Sequence, residues 1–505
     1  LPLSRYASHL SQILAKLAEA LYWNVTRSFE RCQSTVSEAL EMSRKTGIRV
    51  YDYMLLGLAV LSAQDVNDSS TVRNLFEQMD SSFDSRKSWE RAFYHCLRTR
   101  EALIQKDPKT AAYHAELYFM LERKIGQAVS IALSHFLKAC VMLELGEYQH
   151  AAEHIEDAFS IGSKIKSDPF KSLALFLKAQ SAFYQGDESV GVESLRKALA
   201  YGKKCGHIQL ISYIPNKMTE LYAKALEAGI EVDLVQDIIR KRNIVPDEPP
   251  IYLDNWPWAI QIFTLGRFRI VIDGKPFNFP KKVQKKPLEM LKVLISFGEG
   301  QEISKAQLSD ILWPEADGDK AEQAFYITLH RLRQLLGYDK AIGLREGKLT
   351  LDLRYCWVDS MAFERILKRA EDYAEKGERN CVIQSLERAV ALYKGSFLSE
   401  GVDEPWAISY SERLRTKFLR VIEKLGSYLA EEGELDRAVE CFNRAIEVDD
   451  IIEIFYQRLM ICLKKLGRRT EALSVYNRCK KTLLYKLRLE PTKQTEKIKQ
   501  SLFDE

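Results

Sequence analysis

Sliding the chain against itself by 40 residues superposes Phe136-Leu137-Lys138-Ala139 on Phe176-Leu177-Lys178-Ala179, and the same shift pairs Gly146 with Gly186, Ala158 with Ala198 and Gly162 with Gly202. A glycine between helices, and a small residue where two helices cross closely, are what a stacked helix-hairpin repeat requires. Apolar residues recur at helical spacing, as at Leu10, Leu14, Leu17 and Leu21, and only Pro2, Pro108 and Pro169 precede Pro215. Residues 1–244 are therefore expected to form a tetratricopeptide-like helical superhelix.

The repeat stops at Val245-Pro246-Asp247-Glu248-Pro249-Pro250, where prolines cannot continue a helix, and 245–258 is expected as a proline-rich linker. The period then changes. Ile260, Ile262 and Thr264, then Phe268, Ile270 and Ile272, alternate with more polar residues, and Asp273-Gly274 supplies a hairpin turn before Phe277 and Phe279. Three helices follow. Pro287 opens the first, Ser304 caps the second, and the third runs from about Asp319 to Gly337 with Phe325, Leu329, Leu332 and Leu336 inward. A second hairpin flanks Arg345-Glu346-Gly347-Lys348. Sheet, three helices and terminal hairpin is the order of a winged helix-turn-helix, expected over 259–354. Across 355–505 a 34-residue shift pairs Gly433 with Gly467, Ala438 with Ala472 and Phe442 with Tyr476, predicting a second tetratricopeptide-like domain. The expected fold is thus mainly α, with one α+β winged helix-turn-helix between two helical-repeat domains.

Charge narrows the function. Seventy-four basic against 70 acidic residues leave a formal +4, too little to hold nucleic acid by bulk charge, so any such contact is local. No apolar run approaches the ~20 residues that cross a bilayer, and no signal-peptide layout is present. A soluble cytoplasmic protein that engages no membrane is expected. The start, Leu1-Pro2-Leu3-Ser4-Arg5, reads as mid-helix sequence and suggests a piece of a longer protein. Nine cysteines, with no Cys-x-x-Cys among them, read as reduced, mostly buried small hydrophobes.

The third helix of the middle domain carries the sharpest chemistry. Its inward stripe leaves Gln323, Tyr326, Ile327, His330, Arg331 and Gln334 on or near the opposite face. A helix fits the major groove, where Arg and Gln hydrogen-bond base edges and nearby cations hold phosphates. Arg331 is the leading base reader, with Tyr326, Ile327 and Gln334 beside it; Gln323, Thr328, His330 and Arg333 are expected on the DNA backbone. Lys281, Lys282, Lys285 and Lys286 precede the first helix as phosphate clamps, and Arg345 and Lys348 form the wing.

One enzyme-like pattern occurs. His150-Ala151-Ala152-Glu153-His154 matches the inverted zinc-peptidase motif, but Ala151, Ile155 and Ala158 are repeat packing positions, which makes His150, Glu153 and His154 an exposed polar strip with no identifiable third ligand. No Gly-x-x-x-x-Gly-Lys-Ser/Thr loop exists. The chain is therefore expected to be no enzyme and to need neither cofactor nor metal.

Ile262-Phe263-Thr264-Leu265-Gly266-Arg267-Phe268, Leu308-Ser309-Asp310-Ile311-Leu312-Trp313-Pro314 and Leu329-His330-Arg331-Leu332-Arg333-Gln334-Leu335-Leu336-Gly337 resemble the OmpR-type winged helix of SARP-family transcriptional activators. Leu392-Tyr393-Lys394-Gly395-Ser396-Phe397-Leu398, Pro405-Trp406, Gly467-Arg468-Arg469-Thr470-Glu471-Ala472-Leu473 and Leu489-Glu490-Pro491-Thr492 resemble the bacterial transcriptional activation domain that accompanies it. Leu226-Glu227-Ala228-Gly229-Ile230-Glu231 and Ile238-Ile239-Arg240-Lys241-Arg242 resemble the helical sensor region of MalT-like signal-transduction ATPase regulators. The resemblance implies a signal-gated activator of double-stranded promoter DNA. The loop with Trp313, Pro314, Glu315 and Asp317 would meet RNA polymerase, an unidentified inducer or partner protein would bind the N-terminal repeats, and the chain would pair with a second copy on DNA. The rival reading is a protein-interaction scaffold that uses the winged helix for docking.

Overall fold

The computed structural model describes residues 8–26, 28–82, 87–204, 215–242, 244–246, 248–277, 285–297, 301–399 and 404–503. The chain divides into two units, Leu1–Pro246 and Asp247–Glu505. Among described residues the regular elements of the first unit are all helices: α1 (His9–Val25), α2 (Phe29–Thr46), α3 (Asp52–Asp65), α4 (Ser69–Ser82), α5 (Ser88–Ile104), α6 (Pro108–Ile125), α7 (Ala128–Leu145), α8 (Tyr148–Lys164), α9 (Asp168–Tyr184), α10 (Glu188–Lys204), α11 (Pro215–Glu227) and α12 (Val232–Lys241). From α1 to α10 each odd-numbered helix packs on the one after it, and successive pairs stack, which is the tetratricopeptide-like arrangement.

The recurring glycines have two different jobs. Gly146 and Gly186 take φ of 77° and 79° just past α7 and α9, where a side chain would be strained. Gly162 lies where α8 meets α9, and a Cβ there would sit 2.9 Å from the Cβ of Phe170. Helix α7 corrects one expectation. Among the described residues it alone is long and apolar enough to cross a membrane, with mean hydropathy 1.6 over 18 residues. Half of it is buried, because it packs on α6, α8 and α9, which accounts for its composition without a bilayer.

In the second unit, β1 (Ile260–Phe263), β2 (Arg269–Ile272) and β3 (Lys275–Pro276) form an antiparallel meander, and β4 (Ile303–Ser304), β5 (Ile342–Arg345) and β6 (Lys348–Leu351) form a second antiparallel sheet in the order β4-β6-β5. Asp273-Gly274 and Glu346-Gly347 have positive φ at both residues, the geometry of tight two-residue hairpins. Between the sheets stand α13 (Lys285–Ser296), α14 (Lys305–Leu312) and α15 (Gly318–Leu336). This is a winged helix-turn-helix. Ser304 caps α14 by accepting from Gln307 N at 3.1 Å, as expected, and Gly337 ends α15 in the left-handed region. Helix α13 starts two residues before Pro287, which still falls in the first turn, where no N–H is needed.

β7 (Cys356–Val358) pairs in parallel with β1 and leads directly into α16 (Asp359–Glu375). There follow α17 (Arg379–Leu392), α18 (Pro405–Glu431), α19 (Leu435–Val448), α20 (Glu453–Lys465), α21 (Arg469–Leu487) and α22 (Lys493–Ser501). One cluster of buried side chains runs from Ile260 to Leu502, so the winged helix and the helices after it share a core. Two backbones meet closely at the seam. Gly266 N donates to Ser396 O at 3.0 Å and Leu398 N to Thr264 O at 2.8 Å, and a Cβ on Gly395 would lie 3.3 Å from Gly266 Cα.

The second half of the expected linker is not a free tether. Ile251, Leu253, Trp256 and Trp258 are buried. Trp357 Nε1 donates to Ile251 O at 2.8 Å, and the Arg369 guanidinium lies 3.6 Å from the Tyr252 ring centre. Proline stops a helix, but the apolar residues behind it still seek burial.

Candidate nucleic-acid interface

Helix α15 sorts its side chains by face. Ala321, Phe325, Thr328, Leu329, Leu332 and Leu336 are buried, with Phe325 and Leu332 fully enclosed. Gln323, Tyr326, Ile327, His330, Arg331 and Gln334 are all exposed, and their spacing puts them on one stripe. Tyr326 and Ile327 are 47% and 42% exposed, so the stripe carries two apolar side chains among its polar ones.

Two residues expected on the DNA backbone are placed otherwise. Thr328 is buried on the core side of α15, because it follows Phe325 by three positions and shares its face. Arg333 is half-buried and donates from Nε and a terminal guanidinium nitrogen to the Ile342 carbonyl at 3.2 and 2.8 Å, tying α15 to the start of β5. Replacing Arg333 with Ala is expected to lower stability by about 1–2 kcal/mol, since it strips a carbonyl of two charge-assisted bonds. A urea midpoint indistinguishable from wild type would contradict this anchoring role.

The lysines expected before the first helix divide, and Lys285 and Lys286 form the start of α13 itself. Lys281 and Lys282 lie outside the described residues. Lys285 is exposed. Lys286 is instead committed within the fold: its ammonium donates to the Leu312 carbonyl at 2.9 Å, closing the end of α14, and pairs with Glu289 at 2.9 Å. In the wing, Arg345 and Lys348 are exposed, and Lys348 pairs with Glu302 at 3.0 Å. Lys305 N donates to Gly347 O at 2.8 Å, which holds the wing against the first turn of α14. Lys305 is a cation beside the exposed stripe that no sequence pattern marked; its ammonium bonds Glu322 and lies 5.4 Å from the Tyr326 ring centre. Pro314, Glu315 and Asp317 are exposed between α14 and α15, and Trp313 is half-buried against the core.

The first unit holds a cavity of about 500 Å³ along odd-numbered helices, lined by Leu14, Leu21, Met54, Leu133 and other apolar side chains. Asp65 and Arg100 border it as an ion pair, with Arg100 only 2% exposed and also donating to Gln64 Oε1 at 2.9 Å. The His150, Glu153, His154 strip does not assemble. His150 is exposed and bonds Glu147 at 3.2 Å, Glu153 points to solvent, and His154 is half-buried against His135 with Nδ1 atoms 2.8 Å apart. Burial pushes the His154 imidazole down to about 4 and lowers His135 too. His135 and Asp157 belong to no sequence motif. The recurrence of histidine at 95, 114, 135 and 154, two pairs separated by the repeat length, is a signal for His135, whereas Asp157 has none.

Residues 358–503 match the family described as bacterial transcriptional activator domain. The regulatory protein AfsR of Streptomyces coelicolor is 25% identical over 244 residues, covering 48% of this chain and 24% of AfsR. AfsR of Streptomyces griseus is 24% identical over 204 residues, covering 40% and 21%. The chain thus spans about a quarter of the length of the curated relatives it matches. Among solved structures, Mycobacterium tuberculosis EmbR in complex with a low affinity phosphopeptide is 18% identical, covers 48% of this chain and 65% of its own, and superposes with a TM-score of 0.41.

Proposed function

We propose that the chain is a sequence-specific DNA-binding transcriptional activator in which α15 reads the major groove and the N-terminal repeats supply signal control. The observation that carries this reading is the exposed stripe Gln323, Tyr326, Ile327, His330, Arg331 and Gln334, backed by a buried inner face that is apolar except for Thr328 and flanked by a β-hairpin wing. In this reading Arg331 donates to a guanine edge, Gln334 pairs with adenine, and Tyr326 and Ile327 lie against thymine methyls. Gln323, His330 and Lys285 contact phosphates, and Arg345 and Lys348 edge the minor groove, Lys348 leaving Glu302 to do so.

The match of 358–503 to an activator domain supports the activating role, and the likeness to regulatory proteins agrees with it. Exposed Pro314, Glu315 and Asp317 form the surface offered to RNA polymerase, and a second copy binds the adjacent DNA repeat. The signal enters through the first unit, as the resemblance to MalT-like regulators implies. Its apolar cavity, with the Asp65–Arg100 pair at the border, suits an elongated apolar inducer that ends in a hydrogen-bonding group.

Selection from a random duplex library with the full chain, followed by titration of the winner and a scrambled duplex at two salt concentrations, tests the reading. A repeated motif bound well above the salt-sensitive background is expected. A folded chain that enriches nothing would overturn it in favour of a docking scaffold. Lys285→Ala is expected to weaken the winner and the scrambled duplex alike and to reduce the salt slope by about 1; a selective loss on the winner would make Lys285 a base reader.

A further inference from the structure

Two histidine pairs recur one repeat apart. His95 on α5 meets His114 on α6 with Nδ1 atoms 2.9 Å apart, and 40 residues later His135 on α7 meets His154 on α8 at 2.8 Å. Each pair joins the two helices of one hairpin. They differ in what stands beside them. Asp157, one turn beyond His154 on α8, brings Oδ2 to 3.7 Å from His135 Nδ1, and the donor atoms of His135, His154 and Asp157 all lie within 4.8 Å of one another. The corresponding residue one repeat earlier is Leu117, which offers no donor.

The trio has the dimensions of a metal site. With zinc–ligand bonds of roughly 2.0–2.1 Å and tetrahedral angles, neighbouring donors sit about 3.3 Å apart, a value between the 2.8 and 3.7 Å separations here. The site is also held in place on one side and open on the other. The His135 side chain is 10% exposed, and the Phe119 ring packs edge-on against both imidazoles, with centroids at 5.0 and 5.5 Å. Asp157 is 65% exposed, leaving a path for an ion and room for water as a fourth ligand. Two other cations stand near the trio: Lys138, paired with Glu116 at 2.7 Å, and Arg123, whose guanidinium lies 5.6 Å from the Phe119 ring centre.

We infer that His135, His154 and Asp157 form an open binding site for a borderline divalent transition metal, zinc foremost, that clamps α7 to α8 in the N-terminal unit. Two imidazoles and one carboxylate are the donor set that such ions favour. The imidazole that donates in the metal-free pair moves its proton to Nε2 on binding, so both Nδ1 lone pairs face the ion and the pair keeps its charge. This site shares only His154 with the His150, Glu153, His154 pattern, and it does not depend on DNA recognition.

The test is titration of the untagged full chain, stripped by a chelator, with Zn²⁺ against a chromophoric competitor and with Co²⁺ followed by its visible absorption. One saturable equivalent is expected, with a four-coordinate Co²⁺ spectrum. Asp157→Asn, at an exposed position that leaves the fold intact, should weaken it by more than about ten-fold. His154→Gln should remove it, and His114→Gln should leave it unchanged. Leu117→Asp, which supplies the missing donor beside His95 and His114, should create a second equivalent. The inference fails if no saturable equivalent forms, if Asp157→Asn binds as wild type, or if His114→Gln loses the metal equally.

Discussion

Asp359→Ala is expected to destabilise the 247–505 unit by about 3–5 kcal/mol, the largest effect of any substitution considered for this chain. Asp359 is 2% exposed at the first turn of α16, and its carboxylate accepts from Thr264 N and Thr264 Oγ1, both at 2.7 Å, from Leu265 N at 2.9 Å and from Ser360 N at 2.8 Å. Alanine would leave three buried backbone N–H groups and a hydroxyl without that acceptor at the point where the winged helix meets the helices that follow it. Burial pushes the Asp359 carboxyl up from its ordinary 3.8 to about 6, against the pull of those donors. The folded state therefore binds the proton more tightly than the unfolded state. The stabilisation tied to protonation is fully present below pH 3.8 and is lost as pH rises through about 6. Urea unfolding followed by tryptophan fluorescence reads this unit well, because Trp256, Trp258, Trp313, Trp357 and Trp406 lie in it and only Trp23 and Trp89 lie elsewhere. The loss on Asp359→Ala should be greater at pH 5 than at pH 7.5 by about 1 kcal/mol. An unchanged midpoint at both pH values would remove Asp359 from the seam.

What could be read from the sequence is what is local and periodic. The α15 stripe was legible because Phe325, Leu329, Leu332 and Leu336 set the phase of the helix, and the exposed residues follow from that phase alone. The same phase puts Thr328 inside, a consequence hidden by its hydroxyl, which suggests a surface residue. Arg333 is hidden for a different reason: its partner is a backbone carbonyl at Ile342, and no side-chain pattern announces a carbonyl. Strand β7 is three residues long and buried throughout, so Cys356-Trp357-Val358 shows no alternation, and its partner β1 lies nearly a hundred residues earlier. The glycines tell the same story. Gly146 and Gly186 announce themselves by recurrence, whereas Gly266 and Gly395 matter only because two distant backbones touch. The histidine pairs fall between these cases, since their 40-residue recurrence is in the sequence but their contact across two helices is not.

Arg331→Ala separates the recognition-helix reading from a merely solvated basic face, and roughly 1–3 kcal/mol of binding free energy, about 5- to 150-fold in affinity, should be lost on the selected duplex. Arg331 is exposed on α15, so its removal should change folding stability by no more than about 1 kcal/mol, and folding and binding can be measured separately in one preparation. The diagnostic is the pattern across sequences. A guanidinium that bonds a base edge discriminates at one position, so substituting that base should cost the wild type its affinity and cost the variant almost nothing. A guanidinium that neutralises a phosphate would instead lower binding to every duplex and take about 1 from the salt slope, the behaviour assigned to Lys285. Arg331→Lys sharpens the distinction, because lysine keeps the charge and loses the planar two-pronged donor: a base reader should lose its base preference as Arg331→Ala does, whereas a phosphate clamp should keep its affinity and its salt slope. If Arg331→Ala binds its best site as tightly and as selectively as wild type, α15 is not the reading helix, and the exposed Tyr326 and Ile327 beside it are better explained as a protein-docking face.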